Sequence, residues 1–249
     1  MDNTRDALTS RFDYRTGLFS RVRNSEITID EYRDIIRHRE NAKRIYKTIY
    51  TCEFVGFLNE SRTRVGCMLH PMSNDNNDLR EISFYGRDIC EGHFCPSYQK
   101  LTTNEAKTVL ASLDDWYLYG SVITDIDFVK TFFRIVQDTM GEEVSPEVVS
   151  TNGNLIEMLQ KYYALKVRWP YRDTTRPRFG KYYFVGEEYD IDRIDYEGLD
   201  AAVSRYDPIF LSLSSRFKSG KELDAAEKWM DLLVEGFCNE YARADRQDN

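Results

Sequence analysis

Four of the five cysteines of this 249-residue chain lie between residues 52 and 95, and two of its three histidines lie among them. Thiolates and imidazoles are the side chains that hold zinc and iron–sulfur clusters in proteins. Several thiolates at one point repel one another unless a cation neutralises them, and a coordinating metal deprotonates a thiol outright. The spacing therefore predicts a metal site. The predicted ligands are Cys52, Cys67, Cys90 and Cys95, with His70 and His93 as alternative ligands or as neighbours that orient the ligands.

The spacing of the cysteines leaves the metal open between a [4Fe–4S] cluster and zinc. Structural zinc sites usually pair cysteines with about two to four residues between them, and only Cys90 and Cys95 come near that pattern. Cys95 is followed by Pro96, a dipeptide that also ends bacterial cluster motifs and favours iron–sulfur. His70 and His93 keep a mixed Cys/His zinc site open. Buried thiols that pack as small hydrophobes, or a redox disulfide, are the alternatives without a metal.

Residues 52–95 also resemble a bacterial cysteine-cluster family that is described as zinc- or iron-chelating. That family has a Cys-x-Phe segment, then a Gly-x-Cys segment that ends in His-Pro or Tyr-Pro, and then further cysteines. The residues that match are Cys52, Phe54, Gly66, Cys67, Leu69, His70, Pro71, Cys90 and Cys95. The closely spaced cysteines that open the family's motif have no counterpart before Cys52. The resemblance implies a bound metal and says little about a reaction or a partner.

The composition is typical of a soluble globular protein, with 41% hydrophobic and 31% charged residues. A net charge of -8 argues against binding polyanions over the whole surface, although it leaves room for a local basic patch. The N-terminal residues lack the apolar run of a secretory signal, and no stretch approaches the ~20 apolar residues of a membrane span. We therefore expect no membrane and a cytoplasmic location, where thiols stay reduced.

Local patterns predict mainly helices around the cysteine-rich segment. Residues 1–24 are polar and are expected to be irregular. Capping boxes predict three helix starts, at Thr28 with Glu31, Thr102 with Glu105, and Ser219 with Glu222. Helices are expected over 28–50, 102–113, 124–140, 145–150, 153–165 and 219–237. Cys238, beside Phe237 in the last helix, is expected to lie in the core or to be partly exposed. Between residues 52 and 98 the pattern favours short strands and coil, with glycines such as Gly66 and Gly92 expected at positive φ.

The predicted fold class is mainly α, within α+β: a helical domain with an irregular cysteine-rich metal-binding insert and one β-hairpin. The hairpin is expected to pair residues 167–172 with residues 181–185. One domain over 1–249, with the metal-binding segment at 52–98, is the first expectation. The alternative is a cysteine-cluster domain over 1–120 and a helical domain over 121–249 that carries the hairpin at 166–185.

The segment 166–183, KVRWPYRDTTRPRFGKYY, reverses the acidic character of the chain. It holds six Lys or Arg residues against a single acid, Asp173, and aromatic residues lie between them. Basic side chains contact phosphates, and aromatic rings stack on bases. The candidate nucleic-acid-binding residues are Arg168, Arg172, Arg176, Arg178 and Lys181. Helices followed by a basic hairpin are similar to a winged helix, so a metal- or redox-responsive nucleic-acid-binding regulator is one alternative function. In the competing interpretation, the aromatic rings of the segment pack inward and its charges are solvated.

No pattern of catalytic residues emerges from the sequence. A phosphate-binding glycine loop, a nucleophile elbow and a zinc-protease motif are all absent. The two Asp-Ile-Asp triplets, at 125–127 and 190–192, are expected to cap helices rather than to hold a divalent ion. The enzyme question therefore stays open. The remaining alternative is an interaction protein in which the metal is a structural staple, with its partner unknown.

Overall fold

A computed structural model describes residues 4–40, 51–175, 181–185 and 188–248. The chain is mainly helical, which confirms the coarse fold class, and short antiparallel strand pairs accompany the helices. Internal contacts divide it into two compact units, 1–93 and 94–249. The predicted cysteine-rich insert and the predicted domain boundaries stay predictions. In the described part of the chain, none of the helices combines the length and the apolar character needed to cross a membrane.

The first unit begins with helix α1, Arg5–Arg23, so the expectation of an irregular N-terminal segment is wrong for its described residues. The segment is polar, and it provides little local signal for a helix. Its helix buries one narrow face instead, and such packing stabilises helices more than propensity does. The buried residues of that face are Phe12, Arg15, Leu18 and Phe19.

Helix α2, Ile29–Glu40, follows, and its predicted capping box is confirmed. The backbone N–H of Glu31 donates to Thr28 Oγ1 at 3.2 Å, and the Glu31 carboxylate accepts from the Thr28 N–H at 2.7 Å. The bond from the Thr28 backbone holds the pKa of Glu31 below its usual value. Predicted helical residues 41–50 lie outside the described residues. In the core of this unit the ring of Tyr32 stacks on Phe54 at 5.3 Å, and both are fully buried.

Strands β1, Val55–Phe57, and β2, Val65–Cys67, form an antiparallel pair after α2. Gly66 lies in β2 without a positive φ, so the conformational reason predicted for it is wrong. A Cβ at Gly66 would come within 2.7 Å of Leu58, and one at Gly56 within 2.7 Å of Thr16 Oγ1. Thr16 Oγ1 accepts from the Phe57 N–H at 2.8 Å. These glycines therefore permit the close approach of α1, β1 and β2.

Arg15 joins the three parts of this unit. Its side chain is 1% exposed, and two of its nitrogens donate to the Glu40 carboxylate at 2.8 and 2.6 Å. Its remaining terminal nitrogen donates to the carbonyls of Cys52 and Val55, at 2.9 and 3.2 Å. A buried guanidinium that lost these partners would be left desolvated and unpaired. Arg15 therefore holds α1, the end of α2 and the entry to β1 together.

Helix α3, Gly86–Gly92, closes the described elements of the first unit. Two short 3-10 turns precede it, Pro71–Ser73 and Arg80–Ile82. Gly86 begins the helix with φ of 70°, a conformation that glycine adopts without strain. Gly92 has no positive φ, so that expectation is wrong as well.

The second unit is a helical assembly. Its helices are α4 Pro96–Lys100, α5 Thr103–Ser112, α6 Trp116–Ile123, α7 Ile126–Met140, α8 Pro146–Thr151, α9 Gly153–Tyr163, α10 Leu165–Arg168, α11 Asp207–Ser212 and α12 Gly220–Asp248. The capping box of Thr102 and Glu105 is confirmed. In the core, the ring of Tyr162 stacks on Phe128 and Phe132 at 4.3 and 4.2 Å. Its hydroxyl donates to the Phe128 carbonyl at 2.7 Å. Cys238 lies in the same core, which is one of the two placements expected for it.

The hairpin of the second unit differs from the predicted one. Strand β3, Tyr182–Val185, pairs with β4, Glu188–Ile191, which follows it directly in the chain. The predicted first strand is wrong, because Leu165–Arg168 are helical and Trp169 is buried in the core. Adjacent strands pair across a short turn at little entropic cost, and this favours the nearer partner.

We expect Arg15→Met to destabilise the protein by about 3–5 kcal/mol, because it removes one partner of a buried ion pair, leaves two carbonyls unpaired and leaves Glu40 with the longer contact to Arg11 at 3.8 Å. Arg21→Met on the same helix is the matched control. Arg21 pairs with Glu26 while both side chains are about half exposed, so its loss costs at most about 1 kcal/mol. Urea unfolding followed by circular dichroism measures both changes. Equal destabilisation by the two substitutions would contradict the role assigned to Arg15.

Candidate metal centre

The hairpin of β1 and β2 brings two of the predicted ligands together. Cys52 lies just before β1, and Cys67 is the last residue of β2. The antiparallel register places Val55 opposite Cys67. The pairing continues one step beyond the strands, where the Met68 N–H donates to the Phe54 carbonyl at 2.8 Å. The chain entering β1 and the chain leaving β2 therefore run side by side, and each carries a cysteine.

The backbone around Cys52 is held from several sides. Arg15 binds the carbonyls of Cys52 and Val55, as described above. The Tyr32 hydroxyl donates to the Glu53 carbonyl at 2.8 Å within the core. The carbonyl of Phe54 accepts the hydrogen bond from the Met68 N–H. All four carbonyls from residue 52 to residue 55 are thus bonded, so the backbone position of Cys52 is fixed by the fold.

Backbone N–H groups point at three of the cysteine sulfurs. The Phe54 N–H donates to Cys52, and the Leu69 N–H donates to Cys67. In the second unit, the Ser97 N–H donates to the Cys95 sulfur at 3.4 Å, where Cys95 caps α4. These donors lie two residues after the cysteine, and the His70 N–H acts on Cys67 as well. Hydrogen bonds of this kind favour the thiolate over the thiol, which is the form that binds a metal.

The third thiol of the first unit, Cys90, is carried by α3. Its sulfur lies 3.1 Å from the hydroxyl oxygen of Ser83, a buried residue just after the second 3-10 turn. Arg80 in that turn is 9% exposed, and it pairs with Asp78 at 2.8 Å and with Glu91 of α3 at 3.8 Å. These contacts hold α3 against the turn and set the position of Cys90.

The three thiols of the first unit influence one another electrostatically. Burial, with smaller contributions from the charges of Glu53, Cys67 and Cys90, raises the pKa of the Cys52 thiol to about 11. Burial also raises the pKa of Cys67, with Cys90 acting in the same direction and the charge of Arg80 opposing it. At neutral pH the Cys52 and Cys67 thiols are therefore protonated.

The other predicted ligands are placed less favourably. Cys95 is exposed and belongs to the second unit, whereas the other three predicted cysteine ligands belong to the first. His70 accepts a hydrogen bond from the Met72 N–H at Nδ1 over 3.2 Å, which leaves only Nε2 for another partner. His93 is exposed and ends α3. Among the described residues, no group of three or more His, Cys, Asp or Glu side chains stands in the geometry of a metal site.

Sequence reasoning missed the two buried arginines beside the thiols, Arg15 and Arg80. Arginine is seldom buried, so its type alone gives no signal of such a role. The Asp-Leu-Arg run at 78–80 is the one local hint, because Asp78 accepts from both the backbone N–H and the side chain of Arg80. The role of Arg15 depends on contacts more than twenty residues away, which no local pattern records.

The basic segment of the second unit is partly built into the core. Trp169 stacks near Phe210 at 5.8 Å, and its ring N–H donates to Ser215 Oγ at 2.7 Å. Arg172 forms a backbone bridge with Ser215, and Lys181 pairs with Asp127. Arg168 is exposed. The other two candidates, Arg176 and Arg178, lie outside the described residues, and nucleic-acid binding stays a prediction.

The two aspartate triplets play different parts. Asp125 accepts from the Phe128 N–H at 3.2 Å and caps α7, which confirms its predicted role. It also binds the ammonium group of Lys166 at 2.7 Å. Asp190 lies in β4, so a helix cap is wrong for the second triplet.

We expect Cys95 to react with iodoacetamide faster than Cys52 at pH 8, because Cys95 is exposed and Cys52 is a partly buried thiol with a raised pKa. Since only the thiolate reacts, the rate at Cys52 should rise about tenfold per pH unit up to roughly pH 11. Peptide mass spectrometry of the metal-free chain measures each site, with Cys52→Ser to identify its peptide. Equal rates at Cys52 and Cys95 at pH 8 would contradict the described burial.

The chain matches no protein-family model, and neither the curated proteins nor the solved structures that were searched include a detectable relative. The resemblance of residues 52–95 to a metal-chelating family therefore stays a prediction.

Proposed function

We propose that the chain binds a metal through cysteine thiolates, as a four-cysteine [4Fe–4S] cluster or as zinc. One observation carries the proposal: the hairpin of β1 and β2 places Cys52 and Cys67, which are far apart in sequence, on adjacent chains within one compact unit. All five cysteines are free thiols, so no disulfide accounts for this arrangement.

Binding requires the thiol side chains to turn towards one point. While the thiols are protonated, nothing draws their sulfurs together, and a divalent metal supplies that attraction as it displaces the protons. The N–H groups that already point at Cys52 and Cys67 would then stabilise the resulting thiolates. The fixed backbone of residues 52–55 means that side-chain rotation, rather than refolding, brings Cys52 to the metal.

A structural role for the metal fits the size of the elements around it. The strands β1 and β2 have three residues each, and a two-stranded hairpin is only marginally stable by itself. A metal that joins the ends of this hairpin to α3 contributes its binding free energy to folding. A cluster at the same place would add the capacity to transfer an electron or to respond to oxidants.

The fourth ligand is the part of the proposal that rests on sequence alone. Cys95 is the predicted residue, and its sulfur already accepts a backbone hydrogen bond. His93 is the first substitute. His70 is less suited, because the bond at Nδ1 leaves the proton on Nε2, where a metal would have to displace it.

We expect the native chain, purified without oxygen, to carry metal, and Cys67→Ser and Cys90→Ser each to lose most of it. Cys238→Ser is the matched control, because this buried cysteine belongs to the core of the second unit, and its metal content should be unchanged. Elemental analysis, acid-labile sulfide and the visible spectrum measure the outcome. Iron with sulfide identifies a cluster, and colourless protein with zinc identifies a zinc site.

The same experiment identifies the fourth ligand. Loss of metal in Cys95→Ser assigns Cys95, whereas full retention there and loss in His93→Ala assigns His93. A native protein without metal, or unchanged metal content in both Cys67→Ser and Cys90→Ser, would refute the proposed function.

A further inference from the structure

The long helix α12 carries apolar residues on a side that the core of the second unit does not use. Four residues, spaced by four, three and four positions, lie along that side and define what we call the α12 face: Ala225, Trp229, Leu232 and Gly236. Trp229 is 38% exposed and Leu232 is 63% exposed. The residues that enter the core, such as Met230 and Phe237, lie on another side of the helix. The α12 face is therefore an apolar surface within a polar exposed side.

Trp229 is held in place by the core. Its ring lies 5.6 Å from the ring of Trp169, which is 5% exposed. An anchored aromatic side chain contributes a large contact area to an interface at little cost in conformational entropy. Leu232 lies one helical turn further on and extends this surface.

Gly236 has no evident function in the packing of its own chain. It lies inside a helix, where glycine is less stable than alanine. Its φ is not positive, and a Cβ at this position would meet nothing within 4 Å in the described part of the chain. The absence of a side chain lets another segment approach the backbone closely. A second helix on the α12 face would therefore account for this glycine.

The charges beside the α12 face select the partner. Lys228 and Glu235 are exposed and lie seven residues apart on one flank of the face. In an antiparallel pair of identical helices, this flank meets itself in reverse order, so Lys228 of each copy faces Glu235 of the other. In a parallel pair, Lys228 would face Leu233, and Glu235 would face another acidic residue, Glu240.

We propose that the α12 face binds a second copy of this chain, with the two α12 helices antiparallel about a twofold axis. Trp229 of each copy then packs against Leu232 of the other, and Ala225 packs against Gly236. The same residues serve both copies, as a twofold interface requires. The contact extends over about 17 Å of helix. It is smaller than the interface of a permanent dimer, so the dimer forms reversibly and at high chain concentration. The proposal concerns the second unit and does not depend on the metal site.

We expect the native chain to be mostly monomeric at about 1 µM and to dimerise as its concentration approaches about 1 mM. Leu232→Lys should raise the dissociation constant at least about thirtyfold, because a charge then enters the contact on both copies. Leu110→Lys is the matched control: Leu110 of α5 is also 63% exposed, and its substitution should leave the dimer unchanged. Analytical ultracentrifugation of the full chain measures each variant. A thiol reductant prevents disulfides between exposed Cys95 residues.

Charge reversal tests the antiparallel orientation. Lys228→Glu and Glu235→Lys should each weaken the dimer about tenfold, because like charges then face each other at both ends of the contact. The double variant restores opposite charges, and its dissociation constant should return to within about threefold of the native value. Circular dichroism verifies that each variant is folded.

A native chain that stays monomeric up to about 1 mM overturns the proposal, and this includes the case in which a different protein covers the α12 face. A dimer that persists in Leu232→Lys overturns it as well. A double variant that binds no more tightly than the single charge variants overturns the antiparallel arrangement and the proposal with it. None of these outcomes changes the metal content by which the proposed function is tested.

Discussion

The first unit depends on a single buried charge, the guanidinium of Arg15. A buried cation is costly unless every donor is bonded and a counter-charge is near. Here the counter-charge comes from Glu40 at the end of α2, and the remaining bonds come from the carbonyls of Cys52 and Val55. Helix α1, helix α2 and the entry to β1 must therefore be in place together, which links their folding in one cooperative step.

The arrangement of thiols follows from that constraint. Once Arg15 fixes the backbone at Cys52, the register of the hairpin determines where Cys67 lies. Arg80 and Ser83 then place Cys90 through the turn before α3. The fold thus determines the backbone positions of the three cysteines and leaves the rotation of their side chains free. In the proposed function, a bound metal would supply the attraction that orients the sulfurs.

The second unit shows how packing accounts for residues that suggest chemistry in the sequence. Its aromatic residues fill a core in which Tyr162 stacks against two phenylalanines and donates to a backbone carbonyl. Trp169, from the basic segment, belongs to that core, and Lys166 binds Asp125, the residue that caps α7. Several described residues of the basic segment 166–183 therefore have an ordinary structural role in the second unit.

The sequence by itself determined the features that depend on near neighbours. Capping boxes at Thr28 and Thr102 involve groups three residues apart, so the residues that start these helices could be recognised directly. The mainly helical class and the choice of cysteines as candidate ligands also follow from residue type and spacing.

Only the tertiary structure decided the features that depend on distant partners. Helix α1 has a weak local signal, and its stability comes from burying one face and from the bonds of Arg15 to residues far along the chain. Strand β3 pairs with β4, which is close to it in the chain, and Trp169 of the predicted partner strand is buried in the core instead. The alternation of residue types along the sequence does not reveal that burial. The approach of the chains that carry Cys52 and Cys67 has the same origin, because the spacing identifies the cysteines but only the folded hairpin places them on adjacent chains.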